Sequence, residues 1–229
     1  MTLGTLYIVA TPIGNMEDFT SRAISVLSSV DAIFCEDTRV TGKLLSHYKI
    51  QTSMVSLNAR TEKAKISHVL KLLEEGKNVA FVSDAGTPGI SDPGSMLVSS
   101  VRGKSSEVSV VAVPGASALT AALSISGVPS SEFLFLGFLP HKKGREKLFG
   151  EIAQSKRTVV FYESPHRIMK TLEKLALTLD SSRTVVAGRE LTKMYEQVIS
   201  GNSKEVFDYF MTHKEKQRGE FVVSIRGAR

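Results

Sequence analysis

The chain has 229 residues, 42% of them hydrophobic, so it can bury one large core or two smaller ones, and disorder is not expected. A single cysteine, Cys35, excludes an internal disulfide and a cysteine-rich zinc site. No apolar run reaches the roughly 20 residues of a membrane span, and the first six residues do not look like a signal peptide. The net charge of +6 favours polyanionic partners such as nucleic acid, and we predict a cytoplasmic protein without a metal.

Short runs rich in valine, isoleucine and leucine alternate with segments of helical periodicity. In chain order, the predicted strands cover residues 6–10, 32–35, 78–82, 108–113, 133–138, 158–162, 184–187 and 221–225. Apolar spacing predicts helices over residues 61–75 and from Pro165 onward, and Asp92-Pro93 and Ser164-Pro165 each predict a helix start. This alternation predicts an α/β fold with largely parallel sheets. A hinge near residues 113–117 predicts two lobes, residues 1–115 and 116–229.

Residues 83–94 form the densest candidate site, with the sequence Ser-Asp-Ala-Gly-Thr-Pro-Gly-Ile-Ser-Asp-Pro-Gly. They follow a predicted strand and precede a helix, which is where α/β proteins bind ligands. Three glycines allow close backbone approach and two prolines stiffen the segment, so it can bind a small polar ligand at little ordering cost. An ordinary strand-to-helix turn needs fewer residues, and we therefore favour a binding role.

Four more polar segments follow predicted strands: residues 10–15, 36–39, 162–167 and 189–196. Each is also compatible with an ordinary turn or a salt-bridged surface cluster. If Ser164 caps a helix, His166 and Arg167 lie in its first turn, where the helix dipole favours anions such as phosphate. The basic residues 141–145 are expected to form an exposed loop. Together the segments predict that functional groups collect at the carboxyl ends of the strands.

These segments, with residues 113–118 and 137–140, occur in the same order as in the ribosomal RNA small subunit methyltransferase I family, which the chain resembles over essentially its whole length. That family belongs to the tetrapyrrole methylase superfamily and uses S-adenosylmethionine to methylate the 2′-oxygen of a cytidine in the decoding region of 16S rRNA. The resemblance implies two α/β lobes with the cofactor in the cleft between them. It also implies a homodimer, with 16S rRNA or the small ribosomal subunit as partner.

The resemblance implies roles for individual residues. It implies cofactor contacts at Pro12, Ser83, Asp84, Ala85, Gly86, Thr87, Ile90, Ser117, Ala118 and Tyr162. It implies RNA contacts at Arg39, His166, Arg167, Arg189, Glu190 and Lys193, with the arginines and the lysine on phosphates. Removal of the hydroxyl proton needs a base, and the candidates are Glu163 and Asp37, with Glu36 behind them.

Two features depart from the family pattern. Residues 56–60, Ser-Leu-Asn-Ala-Arg, lack the histidines that are usual there, so we expect a different rate or target if this segment takes part in the chemistry. The chain ends at Arg229, just past the last predicted strand, and we expect it to lack the small carboxyl-terminal extension of many members. That expectation bears on the RNA surface and not on the cofactor site.

Two other functions remain open at this point. A methyltransferase acting on a small tetrapyrrole would use the same cofactor loop, and the basic charge would attract its carboxylates. A binding module that has lost turnover would explain the altered residues 56–60. An α/β domain with no more than ordinary turns would need seven ordered segments to arise by chance.

Overall fold

The computed structural model describes residues 2–57 and 62–228, without the side chains of residues 62–64. The chain divides into two compact units, Met1–Ser117 and Ala118–Arg229, whereas the sequence analysis placed the division between residues 115 and 116. Asn58, Ala59 and Arg60 of the atypical segment lie outside the described residues. No helix in the described ranges combines the length and the apolar character needed to cross a membrane.

The first unit is a parallel five-stranded sheet in the order β3-β2-β4-β1-β5. Its strands are β1 (Thr5–Val9), β2 (Ala32–Cys35), β3 (Met54–Ser56), β4 (Val79–Val82) and β5 (Ser109–Val113), and its helices are α1 (Ser21–Ser29), α2 (Thr38–His47), α3 (Glu62–Glu74) and α4 (Ser95–Lys104). Successive residues of a strand point to opposite faces, so Ile33 packs in the core with α1 and α2, and Phe34 in the core with α3 and α4. Helices therefore cover both faces, as a parallel sheet requires.

The second unit is a mixed five-stranded sheet in the order β6-β7-β10-β8-β9. Its strands are β6 (Phe133–Phe138), β7 (Thr158–Glu163), β8 (Thr184–Arg189), β9 (Gln197–Asn202) and β10 (Phe221–Ile225), and its helices are α5 (Ala118–Ser126), α6 (Arg145–Gln154), α7 (Ile168–Thr178) and α8 (Ser203–Thr212). β6 and β7 are parallel, and every other neighbouring pair is antiparallel. The prediction of largely parallel sheets is therefore wrong for this unit, because β10 lies between β7 and β8 and runs against both.

The predicted amphipathic helices are confirmed. On α3, Ile66, Val69 and Leu73 are buried, and on α7 the same is true of Ile168 and Leu172. α7 packs its buried face into one core with α6, α8 and the second sheet.

Both predicted helix starts are wrong. α4 begins at Ser95, after Gly94 with a φ of 126°, so Asp92 remains in the preceding loop. α7 begins at Ile168; before it lies a turn in which the carbonyl of Ser164 accepts hydrogen bonds from the N–H groups of Arg167 and Ile168, both at 3.0 Å. His166 and Arg167 thus precede the helix.

Candidate active site

In the first unit, four loops lie at one edge of the sheet. They follow β1, β2, β4 and β5, and the carboxyl ends of parallel strands lie at the same edge. The loops are residues 10–15, 36–39, 83–94 and 114–117. The structure thus brings together the predicted cofactor residues of this unit, Pro12 and Ser117 among them, with the predicted acidic residues.

The loop of residues 83–94 is attached to the loop after β1. Thr11 and Gly86 exchange two backbone hydrogen bonds of 2.9 and 3.0 Å. The Thr11 hydroxyl donates to the Ser83 carbonyl at 3.2 Å, and the Ser83 hydroxyl donates to the Gly86 carbonyl at 3.2 Å. The Thr87 hydroxyl donates to the carbonyl of Ala116, in the loop after β5, at 3.2 Å. Three loops are therefore joined into one preformed support.

Glycines allow the backbone of this support to pack closely. Gly86 has a φ of 81°, and a Cβ there would lie 3.3 Å from Cγ2 of Ile13. At Gly94 a Cβ would lie 2.8 Å from the ring of Phe81. Gly89 also has a positive φ, which lets the chain turn between Thr87 and Pro93. Its N–H donates to the Pro93 carbonyl at 3.0 Å. Such a loop can offer backbone groups to a ligand without first having to become ordered.

Three carboxylates at this edge have raised pKa values. Burial, followed by the charges of Asp84 and Asp92, raises the pKa of Glu36. Burial, followed by the charge of Asp37, raises the pKa of Asp84, whose Oδ1 accepts the Asp37 N–H at 3.0 Å. Burial and the charge of Asp84 raise the pKa of Asp92 to about 6. The edge therefore concentrates negative charge that is incompletely solvated, which suits a cationic ligand.

Asp37 differs from its acidic neighbours. Its carboxylate caps α2 by accepting the Arg39 N–H at 2.8 Å, and it also pairs with the Arg39 guanidinium. These hydrogen bonds lower the pKa of Asp37 to about 2. The side chain of Arg39 remains 87% exposed and so can reach an external anion while it holds Asp37.

In the second unit, β6, β7 and β8 end at one edge of the sheet and β10 begins there, since Phe221 pairs with both Glu163 and Arg189. The Glu163 side chain is fully buried at this edge. One of its oxygens accepts hydrogen bonds from Arg167 at 2.7 Å and from the Ser164 N–H at 2.9 Å. The other accepts the Thr171 hydroxyl at 2.7 Å and lies 3.8 Å from Arg145. Both oxygens of this predicted base are thus already engaged.

The residues predicted after β8 form a tight turn. The Glu190 carboxylate accepts the Glu220 N–H and the Lys193 ammonium, both at 2.9 Å, and the ammonium also bonds Glu220 at 2.8 Å. Arg189 donates to the carbonyls of Arg218 and Tyr195 at 2.6 and 3.1 Å. Glu190 and Lys193 are therefore partnered within the protein, and Tyr195 is left 68% exposed.

The other predicted residues of this unit lie nearer the surface. Tyr162 contacts the rings of Phe135 and Phe138, with centroids 5.0 and 5.5 Å away. His166 is exposed in the turn before α7. Ala118 is the first residue of α5.

Sequence reasoning missed four residues of these networks. Thr11 and Asp92 belong to predicted loops, and the position of each directly before a proline was an available signal. Arg145 was part of the basic run, and Thr171 is a polar residue on the apolar face of α7, four positions after Arg167. Within residues 2–57 and 62–228, no group of three or more histidine, cysteine, aspartate and glutamate side chains could hold a metal.

This fold and site define a class of enzyme. The family model of the tetrapyrrole (corrin/porphyrin) methylases matches residues 5–206. The structure is similar to that of the methyltransferase CobJ, with a TM-score of 0.70, 19% identity and coverage of 98% of this chain and 95% of the other. It is also similar to uroporphyrin-III-C-methyltransferase from Thermus thermophilus, with a TM-score of 0.66, 17% identity and coverage of 96% and 94%. At these identities the likeness shows the fold.

Curated relatives define the class more narrowly. The ribosomal RNA small subunit methyltransferase I of Synechocystis sp. is 44% identical over 227 residues, which are 99% of this chain and 80% of the relative. The protein of that name from Thermotoga maritima is 45% identical, over 98% of this chain and 99% of the relative. The chain therefore belongs to the ribosomal RNA small subunit methyltransferase I family of the tetrapyrrole methylases.

Proposed function

We propose that this protein methylates the 2′-oxygen of a cytidine in the decoding region of 16S rRNA with S-adenosylmethionine. The observation that carries the proposal is the preformed support of residues 10–15, 83–94 and 114–117, in a chain of this family. The proposal implies a cytoplasmic protein, because the ribosome is its substrate. Free 16S rRNA and the assembled subunit are both substrates to be tested.

The described residues fit the cofactor. The absence of a Cβ at Gly86 lets the loop pack closely against Ile13 and Ala116, and Ala85 and Ile90 are exposed on the same loop. Asp84 and Asp92 offer negative charge. We therefore assign the cofactor to Pro12, to residues 83–87 and 90, and to Ser117. Ala118 and Tyr162 stay predicted contacts from the second unit. When bound, S-adenosylmethionine supplies an electrophilic methyl group.

Of the three candidate bases, Glu36 has the pKa and the environment that suit a base best. A base works best when its pKa approaches the working pH, and burial raises the pKa of Glu36. The pKa of Asp37 is held low by Arg39, and Glu163 is buried with both oxygens engaged. We assign to Glu36 the removal of the 2′-hydroxyl proton, and to Arg39 and His166 contacts with RNA.

A methylation assay tests the function. Purified protein is incubated with labelled S-adenosylmethionine and, in parallel, with 16S rRNA, small subunits and a tetrapyrrole, and the modified nucleotide is mapped. We expect ribose methylation of one cytidine. Methylation of the tetrapyrrole alone would support the alternative activity, and tight RNA binding without any transfer would support a module that has lost turnover.

Substitutions of the carboxylates test the assignment of the base. We expect Glu36→Gln to lower kcat by about 10²- to 10⁴-fold without changing cofactor affinity, because proton removal is worth that much. Asp37→Asn is the matched control and should have a smaller effect on kcat. A larger loss in Asp37→Asn than in Glu36→Gln would reverse the assignment.

We also infer a homodimer. β6 is an edge strand of the second sheet, and its Phe133 and Leu134 are 39% and 37% exposed. Apolar side chains on an exposed edge favour association. Sedimentation equilibrium of the purified protein should give twice the chain mass, and Phe133→Glu should shift it toward the monomer.

A further inference from the structure

The basic loop between β6 and α6 has two exposed lysines and an exposed histidine that the site described above does not use. His141, Lys142 and Lys143 are all exposed. In the part of the chain that the structure describes, neither lysine forms an ion pair with a carboxylate, whereas Arg39, Arg145, Arg167 and Lys193 all do. The loop therefore presents positive charge that is available to an external anion.

The start of this loop is fixed by two half-buried arginines. Arg167 donates to the Leu139 carbonyl at 2.7 Å, and Arg145 donates to the Pro140 carbonyl at 3.0 Å. Their side chains are only 16% and 15% exposed. Two successive carbonyls are thus held immediately before the exposed basic residues.

Glu163 and Thr171 hold the two arginines in turn. Glu163 pairs with Arg167, and the Thr171 hydroxyl lies 2.7 Å both from Glu163 and from Arg145. Burying such a charged cluster costs desolvation free energy, and a well-packed apolar cluster would often stabilise the fold as well or better. The presence of this charged cluster is therefore better explained by its role in positioning the loop than by a gain in stability.

The loop also lies at the edge of the sheet where the predicted site residues of this unit lie. β6 and β7 are parallel, so the loop follows β6 at the edge where β7 ends in Tyr162 and Glu163. Phe138, the last residue of β6, contacts the ring of Tyr162. An anion bound by residues 141–143 would therefore lie at the edge of this sheet that carries Tyr162, the proposed cofactor contact of this unit.

We propose that residues 141–143 bind backbone phosphates of the RNA substrate, and that Glu163, Thr171, Arg145 and Arg167 position this loop. The inference rests on the proposed function, since it names a contact for that RNA. It gives Glu163 and Arg167 a positioning role, which replaces the catalytic role and the phosphate contact that the sequence suggested for them.

Charge removal tests the loop. The variant Lys142→Ala/Lys143→Ala is compared with Lys170→Ala/Lys204→Ala, which removes two exposed lysines from α7 and α8 and leaves the net charge equal. The Kd for a 16S rRNA fragment is measured from 50 to 200 mM salt. We expect the loop variant to bind on the order of tenfold more weakly, with a log–log salt slope shallower by about 2, because two phosphate contacts are lost. The control should match the wild type.

Thr171→Val tests the positioning network, because it removes the bridging hydroxyl and keeps the side-chain shape. We expect KM for RNA to rise several-fold, with kcat at saturating RNA and the Kd for S-adenosylhomocysteine unchanged. In a double-mutant cycle, Thr171→Val should add little to Lys142→Ala/Lys143→Ala, because both act through one loop. A merely structural role would give additive losses.

The outcomes separate this inference from the proposed function. If the wild-type protein methylates RNA but the loop variant and the control bind RNA with equal affinity, the phosphate contact is overturned and the proposed function stands. Additive losses in the cycle would overturn the positioning role. If the wild type neither binds nor methylates RNA, the proposed function itself fails, and binding of the loop to an acidic peptide would count against RNA as its partner.

Discussion

Single residues of the 83–94 loop set its shape, and Gly86 does so most directly. Its φ of 81° lies in the left-handed region, which costs other residues about 1–2 kcal/mol. The sequence predicted a stiff glycine-rich loop here. It could not predict the pairing of Gly86 with Thr11. These residues are 75 positions apart and meet only because β1 and β4, the strands before them, pair in one sheet.

Gly86→Ala should therefore weaken cofactor binding. The strain and the contact with Ile13 would displace the loop, and we expect the Kd for S-adenosylhomocysteine to rise about tenfold, which is 1.4 kcal/mol. Isothermal titration calorimetry provides the measurement. Gly103→Ala is the control, since no atom lies within 4 Å of a Cβ in that turn of α4. Wild-type affinity in Gly86→Ala would show that the loop tolerates a side chain.

Asp92 should make stability depend on pH. In the folded protein it keeps its proton up to a pKa of about 6, whereas an unfolded chain releases it near pH 4. Between these values the folded state binds more protons, so the free energy of unfolding falls as the pH rises. Asp92→Asn should match the wild type at pH 4 and exceed it by about 1 kcal/mol at pH 7.5, after allowance for solvent screening.

Urea denaturation at both pH values measures this difference. Asp180→Asn is a control of opposite sign, because hydrogen bonds from Ser182 lower the pKa of Asp180, so that its loss should destabilise at neutral pH. A gain from Asp92→Asn that is the same at pH 4 and pH 7.5 would contradict the linkage.

At the scale of elements, apolar periodicity identified the buried strands and helices, but it failed for two edge strands and for two helix starts. The eight predicted strands correspond to β1, β2, β4, β5, β6, β7, β8 and β10. β3 and β9 were missed because β3 has only three residues and β9 has only two apolar residues, so neither contains an apolar run. The helix starts predicted at Asp92 and Ser164 were wrong: the chain stays outside the helix past each proline, and the helices begin only after Gly94 and after Arg167.

α8 offers a test at this scale. The Asn202 side chain accepts the N–H groups of Lys204 and Glu205, both at 3.0 Å, and the Glu205 carboxylate accepts the Asn202 N–H at 2.8 Å. Asn202→Ala should lower the free energy of unfolding by about 1 kcal/mol. Chemical denaturation monitored by a probe in the second unit measures the loss. Asn202→Ser retains a capping side chain and should lose less; equal losses would show that the cap is not the cause.

At the scale of the whole molecule, family membership and the α/β class were predicted from the sequence and are confirmed. The order of seven segments made this possible, because it samples the entire chain. The direction of strands in the second sheet could not be predicted, since parallel and antiparallel pairs bury the same side chains. The assignment of residues to RNA was limited for a related reason. The sequence does not show whether a charged residue after a strand faces outward, as Arg39 does, or inward, as Arg167 does.

Cofactor binding should protect the two units unequally. Hydrogen exchange with and without S-adenosylhomocysteine should slow residues 10–15 and 83–94 of the first unit, because ligand binding suppresses local opening at its contacts. β9 and α8 of the second unit contain no proposed contact and should exchange as before. Protection of β9 and α8 without protection of residues 83–94 would contradict the cofactor assignment.

The place of β10 has a consequence for biosynthesis. The first sheet is complete once residue 113 has been made, and its strands then need no later part of the chain to pair. The second sheet has its central place filled by residues 221–225, so a nascent chain that ends before them exposes the inner flanks of β7 and β8 without a partner. During translation the first unit can therefore fold while the second waits, and a ribosome that pauses between these points exposes unpaired strand edges to aggregation.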